Sequence, residues 1–356
     1  MRASGYSALE LDLATGARGD RGEHVRPLLL DLFVPGRSDV DALAVTNAAA
    51  ALLLALDTVA NGKPVAVSRG ELVAIGGDFR IPAILARSGA SLLEVGTTNR
   101  TTPDDYAEAL RSGAAAVLKV RTSNFRIVGF TEDVSLTDLS RLCREASVPL
   151  IYDAGAGSPS RFPEPGLAGE PVPREALDEG AAIVCFSGDK TLGGPQAGIL
   201  LGAKDRLRAC ARNPLSRALR PDKLVLAALA ATLELHLAGR TDEVPFHAMV
   251  ARPLAELQAR SVRLARAASD LGWAAEASPL VAIAGGGAGT ESTLPSFGVR
   301  LRHPSLSESD AAARLRSREL PVLTRLSDGD LVLDLRTVDP EADDELVVAL
   351  SELIGT

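Results

Sequence analysis

Residues 181–202 read AAIVCFSGDKTLGGPQAGILLG. The run AAIVCFS is short and continuously apolar, as a strand covered on both faces is, and AGILLG has the same character. Between them stand a glycine-rich turn and one lysine, Lys190. Lysine is normally kept in water, so a long cationic side chain at the end of a buried strand needs a charge partner or a covalent task. Gly193 and Gly194 would let the backbone turn tightly after it and approach a ligand closely, which side chains would obstruct.

Working outward, short apolar runs alternate with helical segments. AVTNAAAALLLALDTVA (44–60) reads as a helix entered through Thr46 and Asn47, followed by KPVAVS, RIPAILARSG, ASLLEVG, DDYAEALRSG and AAAVLKVRTS. SLTDLSRLCREAS opens like a capped helix and leads into VPLIYDAG, and REALDEG leads into AAIVCFSGDK. Such alternation predicts an α/β fold, a mostly parallel sheet with helices on both faces. Ligands gather beyond the carboxyl ends of strands in sheets of this kind. The residues to inspect are therefore 68–71, 96–100, 122–124, 153–157 and 187–190. Beyond DKLVLAALAATLELHLAG (222–239), a long helix, the composition changes and predicts a smaller α+β domain.

A net charge of −8 argues against a chain coated in positive charge for nucleic acid. Cys143, Cys185 and Cys210 have neither ligand spacing nor the density of a disulfide framework, and read as small buried hydrophobes. The four histidines are scattered, so no metal site is expected. The first residues lack a cationic flank followed by an apolar core, and no stretch approaches the roughly 18 apolar residues that span a bilayer, so the chain is expected in the cytoplasm.

Two strand ends make a constellation. Asp153 closes PLIYD and Lys190 lies three residues past AAIVCFS, so both can point into one crevice. An amine able to bond an aldehyde, with a carboxylate able to pair a pyridinium nitrogen, is what pyridoxal 5′-phosphate asks of a protein. Asn47 at a helix start and Ser187 just before the lysine could donate to its phosphate, and Asn124 stands at a neighbouring strand end. The bland alternative, a turn or capping aspartate and a surface lysine, stays open on spacing alone. The glycines at 285–287 lack the lysine and setting of a nucleotide loop and read as structural. Arg217 and Arg220, three apart in SRALRPDK, would share a face if that turn is helical, making an anion clamp; two solvated arginines are the plainer reading.

The segments GYSALELDLATGARGDRGEHV, VSRGELVAIGGDFRIP, EVGTTNRTTPDDY, KVRTSNFRIVGFT, FSGDKTLGGPQAGILLG and NPLSRALRPDK resemble the bacterial selenocysteine synthase family, the L-seryl-tRNA(Sec) selenium transferases. GGGAG and LPS, at 285–296, extend the resemblance toward the C-terminus. It implies an aspartate aminotransferase-like, fold-type-I enzyme dependent on pyridoxal 5′-phosphate, cytoplasmic and homo-oligomeric. Lys190 would be the lysine that carries the cofactor and Asp153 the partner of its ring nitrogen. Asn47, Ser187 and Asn124 would be further cofactor contacts, and Arg217 and Arg220 would bind selenophosphate. The reaction implied is β-replacement, in which the serine of seryl-tRNA(Sec) becomes selenocysteine.

Two departures qualify the resemblance. The chain opens inside what is an interior motif of the family, so residues 1–35 are expected to be the remnant arm of a truncated region that elsewhere carries the small tRNA-binding domain. The large cofactor domain would then occupy 36–240 and the small domain 241–356. VTNAAAA also stands where the family has an asparagine triplet, leaving Asn47 between Thr46 and Ala48. A lyase or transferase of the same type, acting on a small free amino acid without tRNA, is the alternative expectation.

Overall fold

The computed structural model describes residues 10, 11, 14–19, 21–75, 79–285 and 293–354. They form two compact units, one running to Phe246 and the other built from 247–284 and 293 onward. Gly286 and Gly287 of the triple-glycine run lie outside the described residues.

The strands of the first unit are β1 (Val40–Val45), β2 (Pro64–Ser68), the short pair β3 (Ala74–Ile75) and β4 (Phe79–Arg80), β5 (Ser91–Val95), β6 (Ala116–Val120), β7 (Leu150–Ala156), β8 (Ile183–Ser187) and β9 (Gly198–Ala203). Seven of them form one sheet in the order β1-β9-β8-β7-β6-β2-β5. β2, β5, β6, β7 and β8 pair in parallel, and β9 is antiparallel to both β8 and β1. All but β9 therefore run the same way and end at one edge.

Helices α1 (Arg26–Phe33), α2 (Ala48–Ala60), α3 (Ile81–Arg87), α4 (Pro103–Arg111), α5 (Leu136–Glu145), α6 (Pro173–Asp178), α7 (Lys204–Arg212), α8 (Pro214–Ala218) and α9 (Lys223–Leu237) belong to this unit. Local signals fix their starts. Asn47 caps α2 by accepting from Ala50 N at 2.8 Å, Thr102 and Asp105 form a reciprocal capping box on α4, and Ser135 and Asp222 cap α5 and α9. Every residue of β6 and β8 is buried, which explains why β8 reads as a continuous apolar run and β6 as one broken only by Lys119. Alternate residues of β8 enter opposite cores. Ile183 and Cys185 pack with α2 residues, whereas Val184 and Phe186 pack with Leu29 and Phe33 of α1 and Leu229 of α9. The Phe33 and Phe186 rings lie 5.0 Å apart.

β1 and α1 escape the sequence reading. VDALAV runs directly into an alanine-rich helix, so no change of period marks the boundary, and RPLLLDLF follows a charged segment that hides its apolar face. The three cysteines are free and buried.

The second unit has a four-stranded antiparallel sheet of β10 (Ala274–Ile283), β11 (Thr293–Arg302), β12 (Arg325–Ser327) and β13 (Asp330–Asp334), in the order β10-β11-β13-β12. Helices α11 (Leu254–Asp270), α12 (Glu308–Arg316) and α13 (Asp343–Ile354) supply buried leucines to its core, while α10 (Pro245–Ala251) straddles the boundary between the units.

Gly198, at the start of β9, lies so close to the end of β1 that a β-carbon there would overlap the Asn47 carbonyl. Gly198→Ala should therefore lower the unfolding free energy by about 1–3 kcal/mol, the usual cost of overpacking. Urea denaturation followed by far-UV circular dichroism measures it. Gly36→Ala, where a β-carbon meets nothing within 4 Å but φ is +79°, isolates the cost of backbone strain alone.

Candidate active site

The carboxyl ends of β1 and β8 meet at the first residue of β9, since Val45 and Ser187 are both registered against Gly198, and those of β7 and β6 follow along the same edge. Asp153 is registered between Val120 of β6 and Cys185 of β8. The ladder then slips by one residue before Gly155, which adopts φ +67°, and the Gly155 amide donates to Asp153 Oδ1 at 3.1 Å. A bulge of this kind redirects a side chain at the end of a strand. Asp153 is buried, on the same side of the sheet as Cys185 and Ile151 of the α2 core. Burial pushes its carboxyl up to about 6, against the opposing pull of the Gly155 amide and the Lys190 charge.

Lys190 sits in the ten-residue loop that returns β8 to β9. The loop is tied across its base by Gly188 N to Ala197 O at 2.8 Å and Gly194 N to Gly188 O at 2.8 Å. Lys190 O accepts from Gly193 N at 2.9 Å, and Gly193 has φ +77°, a conformation glycine adopts without a steric cost. From α9, His236 Nε2 reaches Leu192 O at 2.9 Å. A carbonyl only accepts, so the ring donates there, and burial keeps the imidazole below its usual proton affinity. The Lys190 side chain is half-buried. Burial lowers its affinity for a proton, and Asp153 and Asp189 oppose that effect. The neutral, nucleophilic form is thus more accessible than for a surface lysine.

The remaining expected residues are placed as follows. Asn47 spends its carbonyl oxygen on the α2 cap, which leaves its N–H2 group as a donor at a helix start. The Ser187 hydroxyl donates to the Asp189 carboxylate. Asn124 is exposed and donates to Ala74 O of β3 at 2.7 Å, which ties it to the β3–β4 pair. Arg217 lies on α8 and Arg220 beyond its end, so a helix does not align them as the spacing suggested. The segment is nevertheless stitched to the site, because Leu219 O accepts from Thr46 N at 2.9 Å, next to Asn47.

Three features add partners that no local sequence pattern shows. Arg121, the first residue after β6, forms an ion pair with buried Glu170. His236 secures the lysine loop from a helix. Finally, β2 and β6 pair only through Val65–Ala116 and Ala66–Val117, after which Glu71 replaces the backbone ladder. It accepts from Val120 N at 2.8 Å and from Lys119 Nζ at 2.6 Å, and Lys119 also binds Asp133 at 2.6 Å. Beside this cluster lies a cavity of about 190 Å³ lined by Ser68, Gly70, Thr98, Thr101 and Asp133 among others. Among the described residues no histidine, cysteine and carboxylate cluster could hold a metal, and no helix is long and apolar enough to cross a membrane.

The donor set fits pyridoxal 5′-phosphate: an amine of reduced basicity, an enclosed carboxylate on the adjacent strand to meet a protonated ring nitrogen, and a helix start with a spare amide donor. A mostly parallel seven-stranded sheet with this arrangement at its carboxyl edge defines a fold-type-I, pyridoxal-phosphate-dependent enzyme. A solved D-glucosaminate-6-phosphate ammonia-lyase has the same fold, with a TM-score of 0.67 at 23% identity, covering 96% of this chain and 88% of that one. The family model for L-seryl-tRNA selenium transferase matches residues 1–339, and the chain belongs to that family. Among its relatives, the L-seryl-tRNA(Sec) selenium transferase of Methylocella silvestris is 47% identical over 94% of this chain and 72% of its own length. That of Rhizobium meliloti is 46% identical over 98% and 75%. Pyridoxal 5′-phosphate is accordingly the cofactor.

The raised Asp153 pKa has a measurable sign. Between the ordinary value of 3.8 and about 6, the folded cofactor-free chain holds a proton that the unfolded chain releases, so this group makes stability fall as pH rises through that window. The full swing is about 3 kcal/mol. Asp153→Asn should remove it, seen as a smaller difference between urea unfolding at pH 4.5 and at pH 7 than in the unsubstituted protein.

Proposed function

We propose that this chain converts L-seryl-tRNA(Sec) to L-selenocysteinyl-tRNA(Sec), with selenophosphate as the selenium donor and with pyridoxal 5′-phosphate held on Lys190. The observation that carries the reading is the Lys190 amine and the enclosed Asp153 carboxylate on adjacent strand ends, in a chain whose relatives bear that activity as their name. A homodimer or larger homo-oligomer in the cytoplasm, as the family resemblance implies, completes the proposal. The lyase alternative gains nothing from the ammonia-lyase likeness, which at 23% identity is a likeness of fold.

The bound cofactor supplies a carbonyl for the lysine amine and an electron sink for the α-carbon. Each side chain then has a defined task. Asp153 keeps a positive charge on the ring nitrogen beside it, and in return its own carboxylate gains the cation that burial otherwise denies it. Asn47 offers its N–H2 group, together with the start of α2, to a phosphate. With the cofactor bound, the Lys190 Nζ would be placed to take the α-proton, its lowered proton affinity leaving more of the amine neutral. Arg217 and Arg220 meet the oxygens of selenophosphate with paired N–H donors. The β-carbon exchanges its C–O bond for a C–Se bond, and the donor is left as phosphate.

Borohydride reduction of the holoenzyme should fix the cofactor on the peptide containing Lys190; a label on any other lysine would refute the assignment. Lys190→Ala should abolish turnover with seryl-tRNA(Sec) and selenophosphate. Arg217→Ala or Arg220→Ala should leave the cofactor absorbance intact and weaken donor use about tenfold to a hundredfold, the worth of one charged hydrogen-bonded contact at roughly 1.5–3 kcal/mol. An unchanged selenophosphate dependence in both variants would return the two arginines to the solvated surface.

A further inference from the structure

Helix α7 carries a row of cations that the chain itself does not neutralise. Residues 204–223 hold seven lysines and arginines against two aspartates, in a chain of net charge −8. Leu207 and Cys210 turn inward to the core, which leaves Lys204, Arg208 and Arg212, spaced four apart, along another side of the helix over about 12 Å. Arg208 and Arg212 are exposed and have no side-chain partner among the described residues, and the one acid of α7, Asp205, leans on Arg206 at 3.8 Å. Like charges four residues apart repel and weaken a helix. Exposed arginines elsewhere do find acids, as Arg100 finds Glu132, Arg161 finds Glu175 and Arg240 finds Glu243. The row is also joined firmly to the site. Asn213, which ends α7 and caps α8, donates to Asp57 and, at 3.0 Å, to Thr58 Oγ1, both of α2. At the far end of α8, Leu219 O accepts from Thr46 N beside Asn47.

We propose that Lys204, Arg208 and Arg212 form a binding stripe for the phosphate backbone of the RNA duplex that delivers the reacting serine. Base-paired RNA hides its base edges in a groove too deep and narrow for side chains and presents phosphates instead. Several of those phosphates fall within the length of the stripe. Two guanidinium groups one turn apart can each meet one phosphate with paired N–H donors. The α8 turn supplies the path, because it leads from the corner at Asn47 back to Arg212, so RNA that ends in the crevice can lie along α7. The acidity of the rest of the chain helps, since it repels RNA from other faces and leaves this row to orient it. The inference rests on the seryl-tRNA(Sec) reading and adds to it the surface on which that RNA lies.

Fluorescently labelled tRNA(Sec) is titrated with the holoenzyme at a series of salt concentrations, and its anisotropy is followed. With Arg208→Gln and Arg212→Gln combined, affinity should fall roughly tenfold, and the slope of log affinity against log salt should shrink by about two, one unit for each lost phosphate contact. Glutamine is a good helix former, so α7 is kept. Arg263→Gln with Arg266→Gln, on α11, removes two other exposed arginines that have no side-chain partner among the described residues, and should leave both readings unchanged. Equal falls in the two variants would overturn the proposal, because bulk charge alone would then set the affinity. An unchanged slope in the α7 variant would overturn it too, and if that variant also sediments as a smaller assembly, the row belongs to a contact with a second copy of the chain. Failure of the unsubstituted holoenzyme to bind tRNA(Sec) would instead remove the seryl-tRNA(Sec) reading, and this inference with it.

Discussion

An enclosed carboxylate is the constraint on which this site depends. Asp153 receives a backbone amide and feels a lysine charge, yet burial still prevails and favours its protonated form. Such a group stores an unfavourable charge state that a cationic ring nitrogen would relieve, so the same desolvation that costs the empty protein stability gives the cofactor affinity. The sheet makes this possible. Neighbouring strands flank Asp153 on both sides, and the bulge after it shifts the register with β8 at the point where the side chain must face a ligand.

The architecture around Asp153 solves a second problem, which is bringing distant segments to one crevice. Asn47 caps α2 two residues after β1 ends at Val45, where β1 and β8 are both registered against the first residue of β9. Gly198 permits that close approach. The α8 turn is then bonded to Thr46, so the arginine segment joins the same corner. A dense set of backbone hydrogen bonds, rather than side-chain contacts, positions most of the groups. This is the kind of rigid support a site needs if its charges are to act at fixed distances.

What the sequence reveals follows from what is local. Lys190 stands out because glycines flank it and an apolar run precedes it, and Asp153 because it closes such a run. Asn47 is legible as a cap because caps depend on neighbours three residues away. Arg121 looks like any solvated charge after a strand, and its partner Glu170 lies 49 positions away, a distance set by sheet register and by the excursion before α6. Glu71 falls in the strand-end stretch 68–71, but its bond to Val120 N is hidden for the same reason, since it spans 49 positions and replaces a ladder that no pattern shows to be interrupted. The strand β1 is hidden by the alanines that follow it, and the reversal of β9 by a loop long enough to suit either direction. Ser187 and Asn124, expected cofactor contacts, are bonded to Asp189 and Ala74, links that no local pattern announces.

The position of β1 also bears on how the protein is made. Its one neighbour in the sheet is β9, and Val45 and Gly198 are joined across 153 intervening steps of the chain. On a ribosome adding about 5–20 residues per second, β1 would wait roughly 8–30 s for its partner to be synthesised. During that interval β1 lacks the strand it pairs with, and an unpaired strand edge is a template for wrong partners. The corner that holds Asn47, and with it the cofactor crevice, is therefore among the last parts of the large unit to be assembled.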